Sequence, residues 1–172
     1  MASWDEPDEH GRRIPPATAS ELDMVNAFLD FQRATLLWKV EGVSDEDLRR
    51  SMVPSGTSLL GLVKHLADVE QTWFVERFAG REPRFPLWQD DDPGATWRIE
   101  PDETTPQILD LYRETCEDSR KAIEGASLDD VAKQARGGET LRWITLHMVE
   151  ETARHNGHAD ILRELIDGQT GE

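Results

Sequence analysis

The sequence predicts an all-α protein, a four-helix bundle, and three observations carry that expectation. Four segments of roughly 20 to 28 residues repeat apolar side chains at helical spacing. None of them shows the apolar–polar alternation of a half-buried strand. Each opens beside a serine or threonine and closes near a glycine, the punctuation expected at helix ends.

The first helix is expected from the Ser20 cap, with Asp23 three residues on, to about Glu41, and Leu22, Val25, Leu29, Leu36 and Val40 form its buried stripe. Gln32 interrupts that stripe, so its amide either bonds within the core or faces a site. The run SDEDLRR reads as a short helix capped by Ser44, and SMVPSGTS as a loop built on Pro54 and Gly56. Thr57 or Ser58 then caps a second long helix, LLGLVKHLADVEQTWFVERFAG, which ends near Gly80 and buries Leu59, Leu62, Val63, Leu66, Val69, Trp73 and Phe74. His65 flanks that side.

Residues 81–104 hold Pro83, Pro86, Pro93 and Pro101 among acids, which suits a long crossover whose Trp88 and Trp97 cap the core or roof a cavity. Thr105 as a cap and Pro106 in the first turn open a third helix through Ile108, Leu111, Tyr112, Thr115 and Ile123 to Gly125. Cys116 lies on it as a small packed residue. A capped turn, SLDDVAKQ, and the flexible ARGGE lead to a fourth helix from about Thr140 to Asp167. Residues 1–19, with their charge, Gly11 and Pro15-Pro16, read as a mobile lead-in in which His10 is incidental, so a single domain spans 20–172.

A chain of 172 residues suits one domain with a self-sufficient core. Its 35 acidic residues against 19 Lys plus Arg give a net charge of -16, which argues against nucleic acid or an anionic membrane as partner and favours a small molecule or a protein. With Cys116 as the only cysteine there is neither a disulfide framework nor a thiolate cluster, and any metal must be held by histidine and carboxylate. No apolar run approaches the roughly 18 residues that span a bilayer, and the N-terminal stretch lacks a signal-peptide pattern. The expectation is a soluble protein of the reducing cytoplasm.

Chemistry concentrates in HMVEETARHNGHAD, residues 147–160. At about 100° per residue, His147, Glu151, His155 and His158 fall within about 80° of one another. The same arc carries Ile144, Leu162 and Leu165, so the stripe is expected to face the core. An ionised glutamate there is costly unless paired or bound to metal, and a divalent cation satisfies the whole cluster. His65 supplies a donor from a facing helix, as metal sites in bundles require.

Two imidazoles and a carboxylate suit zinc, with nickel, iron or cobalt also compatible, and three protein donors leave a position open. A metal-free hydrogen-bonded cluster or a dimer interface is the alternative reading of the same stripe. Within it, Glu151 with His155 is an i, i+4 pair and His155 with His158 an i, i+3 pair. His147, one turn earlier, packs or supports the others. Arg142 and Arg154 beside the stripe read as surface pairs with the neighbouring glutamates, Glu150 among them.

Three runs in order, FLDFQRATLLWKVEG, VPSGTSLLGLVKHLADVEQTWF and TLRWITLHMVEETARHNGHADILRELIDGQTG, resemble the DinB-like superfamily and within it the mycothiol transferase-like branch. The resemblance implies an up-down-down-up bundle with its long crossover between the second and third long helices. It implies a divalent metal held by His65, Glu151 and His155, with His158 as an outer partner or optional ligand. Many members of the superfamily carry histidine at the position of Glu151, whereas its mycothiol-dependent isomerases use glutamate. The implied reaction is detoxification: the metal lowers the pKa of mycothiol, the low-molecular-weight thiol of actinobacteria, for attack on a halide, epoxide or activated alkene. A homodimer is implied as well. Two other functions fit the same residues. One is a metallohydrolase with Glu151 or His158 as proton acceptor. The other is a metal-stabilised binding or stress protein without catalysis.

Overall fold

A computed structural model of the chain describes residues 7–85, 87, 91–92 and 94–171. Its helices are α1 (Glu21–Val40), α2 (Asp45–Arg49), α3 (Leu59–Glu70), a π-helix (Gln71–Phe78) that continues α3, α4 (Thr105–Ala122) and α5 (Leu141–Asp167). The described residues contain no strand, only the isolated bridges Pro7–Arg13 and Val131–Thr140. Among the described residues no helix is long and apolar enough to cross a membrane.

Capping follows the side chains. Ser20 accepts from the Asp23 backbone N–H at 3.2 Å, Ser44 from that of Asp47 at 3.1 Å, and Ser58 rather than Thr57 from that of Gly61 at 3.1 Å. At α4 the cap is Thr104, one residue before the expected Thr105. Reciprocal capping needs a Gln or Glu three residues after the cap, which Thr104 finds in Gln107 and Thr105 does not find in Ile108. The Gln107 carboxamide oxygen closes the box by accepting from the Thr104 N–H at 2.8 Å. Past α5, Gly168 takes φ 78°, a left-handed cap open to glycine at no steric cost.

Contacts between helices fix their directions. Arg142 meets Glu21, Asn156 meets Gln32, and Arg163 donates to the Lys39 carbonyl at 2.8 Å, so α5 advances alongside α1 in the same sense. Lys64 pairs with Glu103 at 2.6 Å and Ser119 donates to the Glu70 carbonyl at 3.3 Å, so α4 runs with α3. Leu36 and Val40 share a core cluster with Leu59 and Leu60, while Leu29 shares one with Phe74 and Phe78, so α1 opposes α3. Taken in chain order, the four long helices run up, down, down, up. Residues 79–104 form the crossover.

Between these two apolar clusters lies a charge pair. Arg33 donates from Nε and Nη2 to the two Glu70 oxygens at 2.7 and 2.6 Å, and Glu70 is 1% exposed. The bidentate geometry offsets the desolvation of both groups. Gln32 also finds its partner inside, its Oε1 accepting from Asn156 Nδ2 at 2.8 Å, which settles it as a hydrogen-bonded core amide.

Part of the expected lead-in lies against α1. Arg12 is buried, bonds Asp8 at 2.7 Å and Thr35 Oγ1 at 3.0 Å, and holds its guanidinium over the Phe31 and Trp38 rings at 4.7 and 4.6 Å. His10 stacks on Trp38 at 4.0 Å. A planar cation with aromatic faces and a hydrogen-bonded fork anchors a segment whose composition alone reads as mobile.

Candidate metal centre

Antiparallel α3 and α5 bring His65 across from Glu151 and His155. Glu151 Oε1 lies 3.1 Å from His155 Nε2 and 3.8 Å from His65 Nε2, and one donor atom from each residue falls within 4.8 Å of the others. All three are largely withdrawn from solvent, with side-chain exposures of 15% for His65, 16% for Glu151 and 8% for His155. The crossover roofs the cluster. Trp97 stacks flat on His65 at 3.8 Å and meets His155 nearly edge-on at 5.3 Å, and Thr96 Oγ1 lies 3.4 Å from His65 Nδ1. Trp97 is thus a roof, as one reading of the crossover expects, whereas Trp88 lies outside the described residues.

Burial sets the protonation of the two imidazoles. His65 is pushed down to about 4, first by loss of hydration and then by neighbouring His155, against the opposing pull of Glu151. His155 is lowered for the same leading reason, with Glu151 again opposing and His158 and Arg154 adding to the fall. Both rings are therefore neutral near pH 7. Neutral imidazole is the form that donates to a cation.

His158 meets the far side of His155, Nδ1 to Nδ1 at 3.3 Å, and is exposed. His147 is not brought to the cluster. It packs against Trp73 at 4.8 Å and Trp143 at 5.1 Å and faces Glu150 at 3.6 Å. Arg154 pairs with Glu150 at 3.0 Å and reaches Glu151 Oε2 at 3.7 Å, while Arg142 joins Glu21 and Asp129 at the surface.

The expectation that the whole stripe faces the core needs correction. Ile144 and Leu162 are buried, but Leu165 is 51% exposed. The buried line of α5 runs through Ile144, Met148, Thr152, His155, Ala159 and Leu162. At about 100° per residue its centre lies roughly 35° to one side of Ile144, while Glu151, His158 and the pair His147 and Leu165 lie about 20°, 40° and 60° to the other. Ile144 and Leu162 sit at the edge of the buried arc, so an orientation judged from them was rotated towards solvent. The cluster occupies the flank of the core and opens outward.

Beside His155 and His158 the opening continues as a cavity of about 300 Å3. Larger clefts of about 490 and 480 Å3 lie along α1, and neither is lined by a residue of the cluster. Sequence reasoning missed Thr96 and the residues of the α2–α3 loop that face the opening, because loops carry no periodicity from which an orientation can be read.

Fold and site together define a class of protein: an all-α bundle with two histidines and a glutamate gathered from two helices beneath a crossover. The chain belongs to the mycothiol S-transferase family, whose model, described as Mycothiol-S-transferase, matches residues 24–168. Among solved structures, a conserved protein from Enterococcus faecalis has the same fold, with a TM-score of 0.61 at 15% identity over 88% of this chain and 100% of its own. No curated protein matches.

Proposed function

We propose that this chain is a metal-dependent thiol S-transferase in which His65, Glu151 and His155 hold a divalent cation and mycothiol is joined to an electrophilic small molecule. The observation that carries the reading is the convergence of two neutral imidazoles and a carboxylate, each offering one donor within 4.8 Å of the others, in a chain of the mycothiol S-transferase family. The donor set fits. Tetrahedral ligands about 2.0–2.1 Å from zinc lie about 3.4 Å apart; the Glu151 oxygen stands 3.1 Å from His155 and 3.8 Å from His65, and the two histidine donors lie within 4.8 Å of each other. Nickel, iron and cobalt suit the same donors.

A divalent cation held by His65, Glu151 and His155 would supply the Lewis acidity that lowers the pKa of a thiol. The chain's own residues orient and protect. Trp97 and Thr96 fix the His65 ring with Nε2 toward Glu151. His158 lets His155 exchange tautomers: with Nε2–H donated to Glu151, Nδ1 accepts from His158, and with Nε2 given to a cation, the proton sits on Nδ1 and His158 accepts it. In the transfer, sulfur bonds to the electrophilic carbon as the leaving group departs with its electron pair, and the thiol proton passes to solvent.

Elemental analysis of the metal-reconstituted protein, followed by calorimetry with mycothiol, tests this reading. His65→Ala is expected to lower bound metal and thiol-dependent turnover together. Equal metal in wild type and variant would overturn the ligand set. Turnover of esters or amides without thiol would instead indicate a metallohydrolase, and loss of stability on chelation with no turnover a metal-stapled binding protein. The homodimer implied by the resemblance is tested by sedimentation.

A further inference from the structure

Resting on the transferase reading, we infer that the acceptor is a small electrophile bearing an alkyl chain or a single aromatic ring, and that Ile161 and Val53 select it. Two cavities meet at Trp97. One, of about 300 Å3, is walled by Val53, Trp97, Ile161 and Leu162 and reaches His155 and His158, with Ser55 and Thr57 at its edge. The other, of about 400 Å3, shares Ser55, Thr57 and Trp97 but is completed by Gly56, Gly94 and Arg98. The first reaches the donor cluster at His155, whereas the second is lined by none of the three donors and adjoins the first at Trp97, which lies against His65 and His155.

The chemistry of the two sides assigns their occupants. The slot that reaches His155 is walled by Val53, Trp97, Ile161 and Leu162, whereas the neighbouring cavity carries Arg98, itself paired with Asp92 and Glu100, so the apolar part of the acceptor belongs in the slot. An apolar cavity of about 150 Å3 admits benzene, so the slot takes a substituted ring or a short chain. Ile161 is 57% exposed at its rim, and an apolar group lying in the slot removes that side chain from water.

N-alkyl bromoacetamides from methyl to hexyl test the assignment, because the reacting carbon is the same throughout. The sulfur–carbon bond forms as the carbon–bromine bond breaks, bromide leaves with the bonding pair, and the thiol proton goes to solvent. With the zinc-loaded full chain and mycothiol, kcat/KM is expected to rise by up to about fourfold per methylene until the slot is full. Ile161→Asn should flatten that rise, and Leu146→Asn, exposed about four turns away on α5, should keep it. Unreactive N-alkyl acetamides, followed by ligand-observed NMR, report the slot without turnover, and their affinity should rise with chain length in the wild type and less in Ile161→Asn. Transfer with no dependence on chain length in either rate or affinity overturns the slot and leaves the transferase reading standing. Length-dependent affinity without transfer to any acceptor overturns the transferase reading and keeps Ile161 as part of an apolar binding subsite. No transfer to any acceptor, together with an affinity that does not change with chain length, overturns both.

Discussion

Cys116 is the chain's own thiol, and its surroundings exclude it from thiol chemistry. Burial, with Glu70 nearby, pushes its pKa up to about 12, so the group stays a neutral thiol under ordinary conditions. Alkylation at pH 8 is therefore expected to be slow in the native protein and fast in denaturant, as followed by mass spectrometry, with Cys116→Ser leaving thiol-dependent turnover unchanged. The unfolded chain, with its thiol near 9, ionises first as the pH rises, so this residue's contribution to stability is present below about pH 9 and lost as the pH rises toward 12. Single residues also mark how far the sequence could be read. Spacing on one helix and a histidine on a facing one left the pairs Glu151–His155 and His155–His158 both open, and it was the resemblance that implied His65, Glu151 and His155, whose donor atoms lie within 4.8 Å of one another. Thr96 was not legible, since a threonine in a crossover is one polar residue among many until the fold sets it beside His65.

At the scale of elements, the long helices were legible from apolar spacing and caps, and their ends lie within a few residues of expectation. The change from α3 to a π-helix at Gln71 was not, because Trp73, Phe74 and Phe78 keep an apolar pattern compatible with either winding. Gln71 itself is buried and bonds the Phe85 backbone through both ends of its amide, tying the crossover to the helix at the point where the winding changes. The residue just before it, Glu70, meets Arg33 of α1. Glu70→Ala should cost about 3 kcal/mol in urea unfolding, since it leaves the buried guanidinium with Asp30 as its one remaining carboxylate partner. The double change Arg33→Met, Glu70→Leu should recover most of that loss, because the penalty arises from the uncompensated charge and not from absence of the pair.

For the whole molecule, the directions of the helices follow from contacts far apart in sequence, which spacing along one segment cannot supply. The resemblance supplied the up-down-down-up order. The acidic balance, legible from composition alone, leaves the surface pairs such as Arg142 with Glu21 and Asp129 as minor contributors to stability. On the proposed ligand set, a cation joining α3 to α5 would act on the bundle as a ligand of the folded state. Zinc at about 100 times its dissociation constant should stabilise the protein by about 2.7 kcal/mol. Differential scanning fluorimetry should show a corresponding rise in Tm, reversed by chelator and absent in His65→Ala.

The distance in sequence between His65 on α3 and its partners on α5 has a consequence in time. A chain synthesised from its N-terminus at about 5–20 residues per second presents His65 well before Glu151 and His155 have been made. During that interval the candidate centre offers a single imidazole, and the roof residues Thr96 and Trp97 have no α5 to cover. On the proposed ligand set, a cation would therefore find all three donors only once α5 has been made.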